Sequence, residues 1–348
     1  MWNITLRNMQ FRARQLLITI VGTALVFAMA LLVTGLKQAF KTEADRAVDS
    51  IGGDAWVVPA GTEGPSTGLN FMPAGSWDQI AAEPGVRRAD PVLLVPQTIR
   101  KGSDTKQLVA VGHRRHGLGE PPPEEGRRSR RAGEVVVDKK LGFGLGDTFT
   151  VSGRKFTAVG LVSGHTIGGE QPMVYVPIED VWALLHDGTV AKAVVIAGTP
   201  RHLPKGYKAL SRQQVRDDML RPLRSAESAI NNTRLLLWLV AAVIVGVVMY
   251  MSALERVRDF AVLKAVGATT RTLVLSLAAE AVLTCLIAAA LAIGVAQLLL
   301  PIFPLPITYT LGAYAALPVI AVVVGVLASL AGVRRAVRVD PATAFAGT

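Results

Sequence analysis

The sequence predicts an α-helical membrane protein with four transmembrane helices and an extracytoplasmic α+β domain between the first and second of them. Three observations predict it. Of the 348 residues, 51% are hydrophobic and only 18% charged, against about 25% charged in an ordinary soluble domain, and the mean hydropathy is +0.40. The apolarity is concentrated in one block near the N-terminus and in the last third of the chain, with a stretch of soluble composition between them. Positive charges gather beside the apolar blocks, which is how spans are oriented in a bilayer. This composition excludes a disordered chain and argues against a plain soluble enzyme.

The first apolar run, Leu16–Leu36, holds no charge and at about 1.5 Å per residue crosses a hydrocarbon core of about 30 Å. It sets the first span at 16–36. Ala28-Met29-Ala30 behind Arg7, Arg12 and Arg14 has the form of a signal-peptide cleavage site, but apolar residues continue past it through Val33, which favours a retained span. Leu36, Phe40, Ala44, Val48 and Ile51 then recur every three or four residues up to Gly52-Gly53, and that period predicts a stalk helix over 37–53.

Residues 54–208 read as the α+β domain. Short β-type runs at Ala55–Val58, Val92–Ile99, Gln107–Val111, Glu134–Val137, Thr148–Val151, Phe156–Val162, Met173–Val176 and Lys192–Ile196 alternate with turn residues, and Ser76–Ala82 and Ile178–Leu185 read as short helices. Gly117–Gly133, with Pro121-Pro122-Pro123 and Arg127, Arg128, Arg130 and Arg131, reads as a flexible, solvated surface loop; contact with anionic headgroups or phosphorylated envelope polymers is the less favoured reading. Val215, Met219, Leu223, Ala226 and Ile230 repeat the helical period and predict a second stalk over 209–234, kinked at Pro222.

Three further spans follow at 235–253, 271–300 and 311–333, the last two joined by a charge-free loop, 301–310, containing Pro301, Pro304 and Pro306. The basic clusters fall on one side: Arg7, Arg12 and Arg14; Arg256, Arg258, Lys264 and Arg271; Arg334, Arg335 and Arg338. That side is the cytoplasm by the positive-inside rule, so both termini and the segment 254–270 are cytoplasmic, whereas 37–234 and 301–310 lie outside. The excess of 37 Lys and Arg over 26 Asp and Glu therefore serves a lipid bilayer and implies no nucleic-acid partner. The single Cys285 precludes an intrachain disulfide.

Chemistry is conspicuous by what is missing. The sequence has no G-x-x-x-x-G-K-[ST] phosphate loop, so any ATPase is expected in a separate chain. His113 and His116 enclose Arg114 and Arg115, which would repel a cation, and both read as surface histidines. Gly164–Gly169 opens no helix and reads as a plain loop, and Ser163 with His165 supports no triad. No catalytic, cofactor-binding or metal site is expected.

The cytoplasmic segment carries the clearest signal. Ser252 and Glu255 have capping-box spacing, Asp259 lies early and Lys264 late, and Gly267 stands where a left-handed helix end is cheapest. A short helix along the membrane follows, with Phe260, Leu263 and Val266 or Gly267 sharing a face that docks in a partner's groove or lies on lipid. Glu280 falls inside the third span, where an ionisable group needs a polar surrounding, and Ser276 and Thr284 one turn either side are placed to share hydrogen bonds with it; it reads equally as a structural polar pin and as a moving coupling residue. Ala288, Ala292 and Ala296, with Ala321 and Gly325, permit close helix packing.

At these residues the chain resembles the FtsX/MacB-like family of ABC transporter permeases. The stretch 255–268, with Glu255, Arg256, Asp259, Phe260, Leu263, Lys264 and Gly267, is similar to that family's cytoplasmic coupling motif, and Glu280 matches the acidic position that follows it. Arg335 to Ala344 resembles the family's C-terminal ending. Trp2 to Met9 with Arg12 and Arg14 resembles its amphipathic N-terminal elbow, over 1–15, and 334–348 is the matching cytoplasmic tail. Gly133 to Asp138, Leu145 to Val151 and Phe156 to Val162 are similar to its extracytoplasmic core domain, in the small form of the DevC-like branch.

The resemblance implies a permease in the bacterial plasma membrane, working as a homodimer or matched pair with two cytoplasmic ABC ATPase subunits that bind ATP and Mg. ATP-driven closure of the ATPases is then relayed through a coupling helix and stalks to the outer domains. Export or extrusion of a hydrophobic, peptide or lipid-linked substrate is the leading expectation, with a possible extracytoplasmic adaptor. The alternatives are a mechanotransmitter that regulates a cell-wall hydrolase, and an anchored ligand-binding receptor without an ATPase.

Overall fold

A computed structural model describes residues 13–68, 70–101, 104–185, 188–255, 257–302, 307, 309 and 311–337. In chain order the elements are α1 (Ala13–Ile51), β1 (Ala55–Pro59), β2 (Met72–Pro73), α2 (Ser76–Ala81), β3 (Val86–Lys101), β4 (Asp104–His113), β5 (Glu125–Gly126), β6 (Glu134–Asp138), β7 (Thr148–Val151), β8 (Arg154–Val162), β9 (Thr166–Ile167), β10 (Gln171–Pro177), α3 (Ile178–Leu185), β11 (Val190–Ala191), β12 (Ala193–Gly198), β13 (Tyr207–Ser211), α4 (Arg212–Met219), α5 (Arg224–Glu255), α6 (Val257–Ala265), α7 (Thr270–Leu299) and α8 (Leu311–Val337). They form two compact units: the described residues up to Ala39 and from Ala226 onward, and Phe40–Ser225.

The Phe40–Ser225 unit is built on one mixed sheet in the order β13-β1-β12-β3-β4-β10-β6-β8-β5, with β7 on β8 and β9 on β10. Most neighbours are antiparallel, but β10 runs parallel to β4 and β6 parallel to β8. Because successive side chains on a strand point to opposite faces, Val92 and Leu94 of β3 enter one core while Leu93 enters another. The first core joins Trp56, Val58, Val111 and Tyr175 to Ala44, Ala47, Val48 and Ile51 of α1 and to Val215 and Met219 of α4. On the opposite face, Val57, Val194 and Ile196 pack on Trp77 and Ile80 of α2, and Leu93, Leu108 and Val174 pack on Ile178 and Val181 of α3.

The other unit is helical, and α1, α5, α7 and α8 are long and apolar enough to cross a membrane. Its interior is unusually rich in small residues: Ala24 and Ala28 of α1, Ala241 of α5, Ala281, Ala288 and Ala292 of α7, and Ala321 and Ala328 of α8. At Gly325 a Cβ atom would stand 2.7 Å from Val282 Cα, so this crossing closes only because position 325 has no side chain. The large apolar residues face the other way, with Ile18, Leu25, Leu236, Leu239, Leu275, Val323 and Leu327 exposed. Leucines outside and alanines inside is the inverse of a soluble bundle and suits a hydrocarbon solvent.

Several boundaries differ from the sequence reading. Helix α1 runs unbroken from Ala13 to Ile51 and is stopped by Gly52 (φ +77°) and Gly53 (φ +81°); a Cβ on Gly53 would meet Val195 Cγ1 at 2.2 Å. The expected second stalk is divided. Residues 207–211 form the edge strand β13, paired with β1 through Leu210 to Trp56, and a capping box of Ser211 and Gln214 starts the short α4. A 3-10 turn carrying Pro222 then precedes α5. Proline has no N–H and crowds the preceding turn, so one helix cannot run through 222 undisturbed. The elbow residues 1–12, the loop residues 303–306 and the tail 338–348 lie outside the described residues.

Candidate functional site

The expected docking segment is a helix, but it starts later than its capping signal implied. Ser252 and Glu255 belong to the last turn of α5, with Ser252 buried and Glu255 exposed, so they do not open a new helix. Arg256 lies outside the described residues, and α6 begins at Val257 with Asp259 in its first turn and Lys264 in its last. This charge order complements the helix dipole. Gly267 takes φ +101°, Ala268 N–H donates to Leu263 O at 2.8 Å and Gly267 N–H donates to Lys264 O at 3.0 Å. These two bonds make a Schellman end with glycine in its left-handed position. Thr269 then accepts the Thr272 N–H to cap α7.

Phe260, Leu263 and Val266 do not share a surface. Phe260 is 6% exposed and packs with Ala253 of α5 and Leu273 and Leu277 of α7. Leu263 is 44% and Val266 83% exposed, with Val262 beside them. Phe260 is thus the anchor that fixes α6 to its own neighbours, and the exposed apolar trio is what remains for another surface. Replacing Gly267 by Ala is expected to cost about 1–2 kcal/mol because of the left-handed backbone, and to raise amide exchange of Ala268 about 5- to 30-fold. Gly267→Asn, which tolerates positive φ better, should be milder; equal exchange in all three forms would count against this cap.

Glu280 is 1% exposed on α7. The expected bond from Thr284 goes elsewhere: its hydroxyl donates to the Glu280 backbone carbonyl at 2.8 Å, not to the carboxylate. The geometry that wins is the ordinary bond of a helical threonine to the carbonyl four residues back. Ser276 is half-buried.

In the Phe40–Ser225 unit the end of α1 is held by polar side chains that the sequence reading did not single out. Glu43 accepts the N–H groups of Gly169 (3.1 Å) and Glu170 (2.8 Å), so the Gly-rich loop spends those donors on a carboxylate and not on a phosphate. Tyr175 donates to Ser50 Oγ at 2.7 Å, and Ser50 donates to Ala47 O at 2.8 Å. With the phenol proton committed, His165 Nδ1, 2.8 Å from the same oxygen, is the donor that completes the chain. Arg212 and Arg216 of α4 pair with Asp49 and Asp45 of α1 at 3.1 and 3.0 Å. The only local hint was an acidic residue, Glu43, next to the apolar stripe; its partners are more than a hundred residues away.

The arginine-rich segment is pinned, contrary to the flexible loop expected. Arg127 holds Glu134 through two bonds of 2.7 Å, and this hydrogen-bonding keeps the Glu134 carboxyl at about 2. Ser129 donates from both its N–H and its hydroxyl to Glu120 Oε1, each at 2.8 Å. Below them lies His113, 0% exposed and not on the surface, whereas His116 is exposed. Glu120 stands 3.8 Å from His113 Nε2 and favours its charged form, yet burial outweighs that attraction and lowers the His113 pKa. Burial also lowers that of His165. No cluster of three or more metal-ligand side chains exists among the described residues.

Both histidines bind protons more weakly folded than unfolded, so their contribution to stability is complete above about pH 6.5 and is lost as pH falls below it. For His113 the slope is bounded by the one-proton limit of about 1.4 kcal/mol per pH unit. Thermal unfolding of the full chain between pH 7.5 and 5.5 should show it, and His113→Gln should flatten it; an equally steep profile in that variant would assign the loss to other groups.

A family profile described as MacB-like periplasmic core domain matches residues 16–203, and one described as FtsX-like permease C-terminal matches residues 234–341. An uncharacterized ABC transporter permease of Mycobacterium tuberculosis is 44% identical over 343 residues, which is 98% of this chain and 98% of that protein. A Staphylococcus haemolyticus protein carrying the name hemin transport system permease protein HrtB is 20% identical over 358 residues and covers 99% of each chain. Among solved structures, the periplasmic region of MacB from Actinobacillus actinomycetemcomitans matches with a TM-score of 0.37 and 13% identity, over 49% of this chain and 93% of that one.

Proposed function

The chain belongs to the ABC transporter permeases, in the family that joins a MacB-like core domain to an FtsX-like C-terminal region, and we propose that it couples ATP hydrolysis by a partner subunit to movement of its inserted domain. Permeases of this class work with an ATPase. In our reading two cytoplasmic ABC ATPase subunits serve a permease homodimer in a bacterial plasma membrane, with both termini and α6 cytoplasmic and the Phe40–Ser225 domain outside. ATP and Mg are bound by the ATPases, and the sequence of this chain contains no phosphate loop. The work done is extrusion or export of a hydrophobic, peptide or lipid-linked substrate.

The observation that carries this reading is the exposed Val262, Leu263 and Val266 on a helix anchored by Phe260. A short amphipathic helix offering a few large apolar side chains is what a receiving groove recognises. Asp259, exposed and one turn before Val262 and Leu263, adds a charge to that surface, which orients a partner more than it binds one; Glu255 and Lys264 belong to the same proposed coupling segment. Glu280 is assigned to the same relay as a buried polar group on the helix that follows.

Two measurements test it. A tagged chain purified from its native membrane should bring down an ATPase with a phosphate loop at one ATPase per permease; recovery of the permease alone would favour an anchored receptor. Cysteines at Ser152 and Ala268 test sidedness against a silent background, because Cys285 is buried. An impermeant maleimide should label Ser152→Cys in intact cells and Ala268→Cys only after permeabilisation, and the reverse would invert the topology.

A further inference from the structure

Strands β3 and β7 each carry a main-chain edge that no other strand takes up. Among the described residues β7 pairs with β8 alone, and β3 beyond Val92 pairs with β4 alone. In an antiparallel pair the N–H and C=O groups of successive residues point alternately toward the partner and away from it. Asp147 accepts the Ala158 N–H on the β8 side, so the alternation turns the main-chain groups of Thr148 and Thr150 away from β8. On β3 the Val92 carbonyl accepts the Lys192 N–H, on the side away from β4. The register with β4 is unbroken from there to Lys101, so Thr98 and Arg100 turn their main-chain groups away from β4 as well. Pro96 has no N–H and ends that row of donors.

Both edges line one groove of about 660 Å³ in the Phe40–Ser225 unit, through Thr98 and Arg100 of β3 and Thr148 and Thr150 of β7. These four residues are exposed, whereas Ile99 and Phe149 between them are 1% and 6% exposed and give the groove an apolar floor. The two strands are tied beyond this groove by the Ser152 hydroxyl, which donates to Gln97 Oε1 at 3.3 Å. Residues two apart on a strand lie about 6.6 Å apart, so each edge offers donors and acceptors at the repeat of an extended polypeptide. The four residues of β7 present about 13 Å of such edge. Open edges of this kind are templates for another strand. Arg100 is the one charged residue among those lining the groove, and Lys155 stands exposed on β8 opposite Thr150, so the charge that complements the site is negative.

We propose that this groove receives an extended, acidic segment of a partner polypeptide, added as a strand beside β7 with a carboxylate side chain at Arg100. The main-chain bonds give affinity, and the Arg100 pair gives direction and preference. The site lies wholly within the Phe40–Ser225 unit, so its failure would leave the α6 reading untouched.

The test uses the full chain in nanodiscs and a fluorescein-labelled heptapeptide of alternating valine and glutamate, read by anisotropy. Binding should saturate, and N-methylation of alternate amides in the peptide should weaken it about 30-fold, as expected for two lost hydrogen bonds. Thr150→Pro removes an N–H that faces the open edge and spares the bonds to β8; it should weaken binding about fivefold. Arg100→Glu should turn the preference toward a heptapeptide of alternating valine and lysine. The peptide comparison uses the unaltered chain, so it decides the matter even if Thr150→Pro lowers stability. Equal affinity for the plain and N-methylated peptides would overturn strand addition. Preference for an oligogalacturonate over the peptide would give the groove to an anionic glycan, and failure to bind either probe would make the two edges closed to partners; both results would overturn the proposal.

Discussion

Changing Leu263 and Val266 together to Asp is expected to detach the ATPase while leaving the permease folded. Burying a Leu or Val contributes about 1.5–3 kcal/mol, and with Leu263 44% and Val266 83% exposed a good part of that remains available to a partner. A combined loss of about 2–4 kcal/mol corresponds to a 30- to 1,000-fold weaker complex, before the added cost of two buried charges. Phe260→Ala provides the contrast. Phe260 is spent on Ala253, Leu273 and Leu277, so its truncation should cost about 3–5 kcal/mol of stability and lower the melting temperature, which the double Asp variant should not do. Co-elution of permease and ATPase, with ATP turnover in nanodiscs, is the readout. Wild-type affinity in the double Asp variant would move the coupling surface away from α6.

The same helix shows where sequence reading reaches its limit. Ser252-x-x-Glu255 and Ser211-x-x-Gln214 carry the same capping pattern, yet only the second caps a helix. A capping motif is local, and whether the helix before it has already ended is decided elsewhere. The face of α6 is not legible in its own sequence for a related reason: Phe260 turns inward because Leu273 and Leu277 of the next helix are there to receive it. Strands such as Thr148–Val151 were legible because alternation and turn residues are both local signals. β13 was not, since Leu210 is its one buried residue and a capping box follows at once. The Glu43, Ser50, Tyr175 and His165 linkage was beyond reach, because the sequence carries no trace of which carboxylate meets a loop more than a hundred residues away.

Inserting Gly-Gly between Ala39 and Phe40 is expected to leave the ATPase bound but to abolish the response of the inserted domain to nucleotide. Helix α1 is a single element of 39 residues, about 58 Å long. Its end is fastened by Glu43, Ser50, Asp45 and Asp49 and by an apolar stripe from Ala44 to Ile51. A stiff helix so fastened carries a displacement of a few ångströms along its length, whereas a joint dissipates it. Each glycine costs about 1 kcal/mol in a helix and softens the backbone. Two residues also turn the far end by about 200°, so the control is an alanine-rich insertion of seven, which restores the phase to within about 20°. Spin labels at Ser152→Cys on the two domains of the dimer report the distance change on adding a non-hydrolysable ATP analogue. The seven-residue insertion should keep that change and Gly-Gly should lose it, as should a matching Gly-Gly after Ala229 in α5. If the Gly-Gly variants respond like the wild type, α1 and α5 are tethers, and the motion of the domain must be driven from somewhere other than its helical roots.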